Sequence, residues 1–279
     1  MTDRATSDPH DAPPSNPTGA ESLDAVRRDL FAEQGELDDL VSAIPPSAFY
    51  RATPSPGWNV FDQIAHLTYF DDRAALALAD PERFTASVGE ITAHVAELDD
   101  FTLSQLRTLA PATLLARWRD ARAELTAHGA NLDTTRRVAW YGPSMSATNF
   151  LRARLMETWA HGHDVATALE TRRPPTSRLV HVATLGYLTR AWSYRVRGEP
   201  VPEGAVAVEL EGPHDNAWRF GPTQVDDVVS GDAEEFCLVV TQRRHVDDTQ
   251  LRCGELARDW LLKAQAFAGG PSNGPRATA

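Results

Sequence analysis

The sequence predicts an α plus α+β protein, a four-helix bundle followed by a small α+β domain, and three observations carry that prediction. Four long segments before about residue 173 repeat apolar residues at helical spacing. After Pro174-Pro175 the texture changes, and AVAVELEG, AWRF and VDDVVSG alternate in the manner of short strands. Two of the four bundle segments carry a polar stripe beside the apolar one, which suits helices packed around a partly polar interior. The expected organisation is a disordered tail over 1–20, the bundle over 21–173, the α+β domain over 174–270 and a second disordered tail over 271–279.

Each element has its own signal. The first twenty residues are rich in Pro, Ser, Asp and Thr and offer no large apolar anchors, the composition of a tail. From Ser22 to Ile44, Leu23, Val26, Leu30, Leu37, Leu40 and Val41 form one helical stripe, and Pro45-Pro46 stops it. TPSPGW is a turn, Asn59 caps the next helix with Asp62 three residues on, and FDQIAHLTYFDDRAALALAD is helix two, carrying His66. Residues 81–110 are weakly amphipathic and are expected as an inserted or broken helix. Pro111 opens helix three, with Leu114, Leu115, Trp118, Ala121 and Leu125, ending near His128-Gly129. RRVAWYGPSMS is extended and leads, through Ser144 or Ser146 as cap, into LRARLMETWAHGHDVATALE, which Arg172-Arg173-Pro174-Pro175 ends. A further helix over Arg178 to Val196 precedes the strands, and two terminal helices follow, Ala233 to Arg243 and Gly254 to Phe267.

Composition limits the function. A net charge of −12 lacks the basic footprint that phosphate neutralisation needs, so nucleic acid is not an expected partner. The apolar runs fall short of the ~20 residues that span a bilayer, and the start of the chain has no basic-then-apolar leader, so a cytoplasmic protein without membrane contact is expected, monomeric or homodimeric. Cys237 and Cys253 are too few for a disulfide framework and are not spaced as a metal pair; both are expected as reduced thiols without a catalytic part.

The chemistry concentrates in the fourth bundle helix. Glu157 and His161 are four residues apart and share a face, Asp164 lies within about 60° of them, and Leu151, Leu155 and Trp159 form the apolar stripe alongside. His163 points about 200° away from His161 and belongs at the rim. With His66 from helix two the set becomes His₂Glu, three protein ligands with a position left open, which suits catalytic zinc or another divalent ion. A Glu-x-x-x-His pair also occurs as a plain hydrogen-bonded pair on a wet helix face, so spacing alone leaves both readings standing. His94, His128, His181, His214 and His245 are expected as surface or satisfied polar residues outside the site. Arg243 and Arg244 close a predicted helix; either can clamp a carboxylate with its planar fork or simply complement the helix dipole. The chain has no Gly-rich phosphate loop, no G-x-S-x-G elbow and no Cys-His arrangement.

Two stretches resemble a known family: PGWNVFDQIAHL from Pro56, and METWAHGHDVA from Met156. They are similar to DinB-like metal-binding proteins of the mycothiol-dependent maleylpyruvate isomerase type, and the likeness continues from about Leu23 into a C-terminal piece similar to a sterol-carrier-like domain, clearest in FCLVVTQRRHVDDTQL and WLLKAQAFAGGP. The resemblance implies a divalent metal, usually zinc, on His66, Glu157 and His161. It also implies mycothiol as a co-substrate held as thiolate, and an isomerase or S-transferase acting on a small electrophilic, anionic molecule. Asp164 or Asp62 would then orient a ligand imidazole, and Arg244, or Arg243, would hold the substrate anion from the second domain in a cleft between the two. Two alternatives share the residues: a hydrolase using metal-bound water, and a non-catalytic ligand-binding protein with a structural metal.

Overall fold

The computed structural model describes residues 22–94 and 97–278, so the amino-terminal tail expected over 1–20 lies outside the described residues. The chain divides into two compact units, one spanning Gly19–His181 with Phe267–Gly269 and the other built mainly from Val182–Ala266.

In the first unit the four expected long helices are α1 (Leu23–Ser42), α2 (Val60–Ala79), α5 (Pro111–Gly129) and α6 (Ala147–Ala168), and the ambiguous stretch breaks into α3 (Pro81–Ala93) and α4 (Leu98–Leu103). Their starts are set by side chains. Ser22 accepts from Ala25 N to open α1, and Asn59 and Asp62 form a reciprocal capping box at α2. Of the two serines expected to cap α6, Ser146 does so, accepting from Asn149 N. The extended piece before it is a two-stranded antiparallel hairpin, β1 (Arg137–Trp140) with β2 (Gly142–Ser146), paired Arg137 to Ser146 and Val138 to Met145.

Helix α2 packs against both α5 and α6, and α1 packs against α6. Leu37, Val41, Val60, Ile64, Leu67, Leu114, Trp118 and Val165 fill the space between them and are shut off from solvent. Three of the helices also meet at one buried charge. Asp71 of α2 accepts from Arg154 Nε (3.0 Å) and Nη2 (2.8 Å) of α6 and from Trp118 Nε1 (3.2 Å) of α5. Burial pushes the Asp71 carboxyl above its ordinary range, and Arg154 opposes that push. On α1, fully buried Glu33 is held by Arg173 and Arg178 from the segment after α6, which ties that segment back to the first helix.

The helix expected over Arg178 to Val196 is two helices, α7 (Leu179–Leu188) and α8 (Arg190–Arg195). The break falls at Thr189, whose hydroxyl bonds back to the carbonyls of Leu185 and Gly186 while its own N–H still reaches Leu185 O. In the second unit the three expected strands are present: β3 (Val206–Glu211) is the centre of a sheet ordered β4-β3-β5, antiparallel to β4 (Ala217–Phe220) and parallel to β5 (Asp227–Asp232). Val208, Leu210, Phe220 and Val229 of the sheet are buried, with Phe236 and Val240 of α9 (Ala233–Val240) and Trp260 of α10 (Glu255–Leu261). Gly186 allows a close approach here, since a Cβ at that position would lie 2.8 Å from Val240 Cγ2.

Both terminal helices are shorter than expected. Helix α9 stops at Val240 because Gln242 adopts a left-handed conformation (φ 60°), so that Gln242 N bonds Val239 O and Arg243 N bonds Leu238 O. That is a Schellman closure built without glycine. Residues 271–278, expected as a tail, carry hydrogen bonds: Ser272 Oγ donates to Gln242 Oε1, and Thr278 N to the Asp248 carboxylate. Among the described residues no helix is long and apolar enough to cross a membrane.

Candidate metal centre

His66 sits near the middle of α2, and Glu157 and His161 sit one turn apart near the middle of α6, so helix packing alone brings the three together. One ligand atom from each falls within 4.8 Å of the others. Glu157 Oε2 is 3.2 Å from His161 Nε2 and 3.7 Å from His66 Nε2. The two imidazole rings lie 4.3 Å apart by centroid. Around them, Trp58 from the turn before α2 stacks on His161 at 6.0 Å and tilts against His66 at 5.2 Å, while Phe70 closes on His66 at 4.6 Å. Burial would raise the Glu157 carboxyl, but the imidazoles of His161 and His66 beside it override that and hold it well below the usual carboxylate range.

The far side of His161 fixes which of its nitrogens faces the carboxylate. Thr53 Oγ1 donates to Trp58 O (3.0 Å) and accepts from Gln63 Nε2 (2.9 Å). With its NH₂ used in that way, fully buried Gln63 turns its Oε1 to His161 Nδ1. Gln63 Oε1 can only accept, so His161 Nδ1 carries a proton and Nε2 is the nitrogen turned to Glu157. Two imidazoles and one carboxylate, with the outer nitrogen of one imidazole already held, are a donor set that fits a divalent ion.

The expected supporting residues fall out differently. Asp62 does not orient an imidazole: its Oδ2 accepts from Asn59 N, its Oδ1 from Arg107 Nε at 2.8 Å. The cap it provides for α2 competes for the same oxygens. Gln63, one residue further on, does that work and was not singled out by the sequence. Its signal is weak, a polar side chain three residues before His66 whose partner is 98 residues away. Asp164 is buried on α6 and accepts from Ser55 Oγ at 3.1 Å, which attaches the turn carrying Trp58 to the helix carrying Glu157 and His161. His163 stacks loosely on Trp159 (6.0 Å), at the rim as expected.

Arg244 belongs to the second unit, where its Nη1 lies 3.5 Å from Glu235 Oε1. Arg243 Nη1 folds back onto Thr241 O at 2.7 Å, finishing its own helix. Cys237 and Cys253 are unpaired to each other; Cys237 is buried, and burial pushes its thiol well up, away from nucleophilic use.

A helical bundle with an inward His₂Glu cluster defines a class of metal-binding helical proteins, and comparison with known proteins narrows that class. The sequence profile of the mycothiol maleylpyruvate isomerase N-terminal domain matches residues 30–166. Two uncharacterized proteins of Mycobacterium tuberculosis, from strains CDC 1551 / Oshkosh and ATCC 25618 / H37Rv, are each 41% identical over 247 residues, which is 88% of this chain and 96% of theirs. The crystal structure of the mycothiol-dependent maleylpyruvate isomerase superposes with a TM-score of 0.55 at 18% identity, covering 80% of this chain and 90% of that one. A histidine-to-alanine mutant of that enzyme gives 0.54 at 17%, with the same coverage. At those identities the likeness is one of fold. The chain belongs to the mycothiol maleylpyruvate isomerase family.

Proposed function

We propose that the protein is a metal-dependent enzyme that uses a low-molecular-weight thiol, mycothiol, to isomerise or S-conjugate a small electrophilic and anionic substrate. The observation that carries this is the His66–Glu157–His161 cluster, in which the inner nitrogen of His161 is aimed by Gln63. A divalent ion, zinc by the chemistry of the donors, supplies the Lewis acidity that keeps a coordinated thiol deprotonated at neutral pH. The chain's own residues do the rest. His66, Glu157 and His161 fix three positions, Gln63 holds the His161 proton away from the reacting side, and Trp58 and Phe70 wall the site with aromatic surface. An isomerase would then need only reversible thiol addition to a conjugated double bond, with rotation before elimination; a transferase would release the adduct. Asp164 supports the arrangement by holding the Trp58 turn through Ser55, and Arg244 is retained as a candidate for holding the substrate anion.

The test is metal analysis together with a thiol titration of the cobalt-substituted protein. A sulfur-to-metal charge-transfer band on adding mycothiol, undiminished when Cys237 and Cys253 are both changed to Ser, supports the reading. His161→Ala and Glu157→Gln should lose most bound metal while keeping most helix content. No spectral change with any thiol, combined with thiol-independent hydrolysis of an ester, would replace it with the hydrolase.

A further inference from the structure

The face of α2 that carries His66 continues past it. Phe70 is four residues on and Arg73 seven on, which returns to within about 20° of His66 at a rise of roughly 10 Å. Long helical side chains lean toward the helix N-terminus, and Arg73 does so: its Cζ lies 5.8 Å from the centre of the Tyr69 ring, one turn back toward His66. Phe70 stands between the two regions, 4.6 Å from His66 on one side and 5.8 Å, edge-on, from Tyr141 on the other. Tyr141 is the residue at the tip of the β1–β2 hairpin, seated on Phe84 at 5.3 Å.

Two polar groups here are buried without a partner. The Tyr141 hydroxyl and Arg73 Nε are both closed off from solvent and make no hydrogen bond. Arg73 has no carboxylate within ion-pairing distance among the described residues, although most of the bundle's other buried or half-buried arginines have one: Arg154 has Asp71, Arg122 has Asp38, and Arg173 and Arg178 have Glu33. Burial and the neighbouring Tyr69 phenol push the Tyr141 hydroxyl up, and the cations that oppose them are Arg73 and Arg154, the second of which is already matched by Asp71. Arg73 Nε and the Tyr141 hydroxyl are two unused donors of the kind a carboxylate takes, and each unmade bond to a buried group is a standing cost that such a ligand would remove.

We propose that Arg73 and Tyr141, separated from His66 by Phe70, form a subsite that receives a carboxylate of the substrate. The subsite rests on the reading of His66, Glu157 and His161 as the reacting end, and it selects for a short carboxylic acid whose electrophilic carbon is a few bonds from its anion. An amide or ester of the same skeleton would leave Arg73 unmatched and be discriminated against.

The binding experiment uses maleate as probe and the metal-loaded full chain, followed by calorimetry. Maleate should bind the wild type, and Arg73→Met should weaken it by tenfold or more, with Arg73→Lys intermediate and Tyr141→Phe weakened by a smaller factor. Metal content and the thiol-induced cobalt band should be unchanged in all three, which separates this subsite from the metal centre. With maleylpyruvate as substrate, the same variants should raise KM more than they lower kcat. Equal maleate affinity in wild type and Arg73→Met, or none in the wild type, overturns the subsite even if the thiol chemistry stands. Retained, Arg73-dependent maleate binding in a protein whose cobalt spectrum ignores thiols would support the subsite and sink the thiol reaction instead. If Arg73→Met does not fold, Arg73→Lys and Tyr141→Phe decide the matter by the same affinities.

Discussion

The bundle buries charge and the C-terminal unit scarcely does. Glu33, Asp62, Asp71, Arg152, Arg154, His161 and Asp164 are all buried in the first unit, whereas the buried charged side chain among the described residues of the second is Arg190. The second unit is held by Val208, Phe220, Val229, Phe236 and Trp260, a sheet-on-helix core of apolar side chains. Buried ion pairs are poor stabilisers beside apolar packing of the same volume, but removing one member is severe because the other is left uncompensated. A region that accepts this arrangement gains fixed polar geometry in its interior, and the bundle is where His66, Glu157 and His161 come together.

Several experiments probe that contrast, and the largest effect belongs to the buried pair. Asp71→Ala strands Arg154 and the Trp118 indole, and should destabilise the bundle by about 3–5 kcal/mol in urea unfolding; a loss under ~1 kcal/mol would mean that its charges are not structural. Phe236→Ala in the other unit should cost a similar amount, about 3–5 kcal/mol, by leaving a cavity instead. The two variants should part on added divalent metal: Phe236→Ala should bind it as the wild type does, while Asp71→Ala should lose affinity as the α2–α6 contact loosens.

Gln63→Ala comes next. It leaves all three ligands in place but frees the His161 ring, and metal affinity should fall about 10- to 100-fold with little change in melting temperature. Wild-type affinity would remove Gln63 from the site. Smaller again is the cap at α10, where Asp227 accepts from Gly254 N and Ala257 N, both at 2.8 Å. Burial raises its carboxyl, yet these backbone bonds win and hold it below the ordinary value. Its stabilisation is therefore present above the unfolded-state value and is lost as pH falls through the lower folded one. Asp227→Asn should cost about 1 kcal/mol at neutral pH and make the acid limb of the stability curve shallower; an unchanged acid limb would contradict it. The smallest structural effect is expected of Arg244→Lys, with metal, thiol binding and stability as in the wild type. Lost turnover would place Arg244 on the substrate, and unchanged kinetics would leave it as the partner of Glu235.

What could be read from the sequence was what local pattern encodes. The bundle helices announce themselves by period and by punctuation, Asn59 with Asp62, Pro111 and a serine at 144 or 146, while one-turn spacing marks Glu157 and His161 only as a pair and the resemblance adds His66. The misplaced helix ends share a different cause. The break at Thr189 has no proline to mark it, and Gln242 takes a left-handed conformation that pattern would reserve for glycine. Asp62 caps α2 as expected, but its neighbour Gln63 is the one that meets an imidazole, because what decides between them is the identity of partners on other elements, Arg107 and His161. Long-range pairing of that kind leaves no period in the chain. The unmatched arginine and hydroxyl at Arg73 and Tyr141 are likewise visible only once every other charge nearby has found its partner.

The junction at Asp71 bears on how the metal would be acquired. Its three donors come from α5 and α6 while the carboxylate comes from α2, so the charge is quenched only when all three helices have docked. Arg154 lies three residues before Glu157, and Asp71 five after His66, so the same docking event aligns the ligands. A receptor for an ion at His66, Glu157 and His161 would thus be finished by assembly of the chain itself, and loading would resemble a key entering a cut lock rather than a nail fastening loose boards. Uptake should proceed at the pace of ligand exchange on the aquated ion, with no accompanying growth of helical signal, and a chelator should strip the ion reversibly from a bundle that keeps its shape.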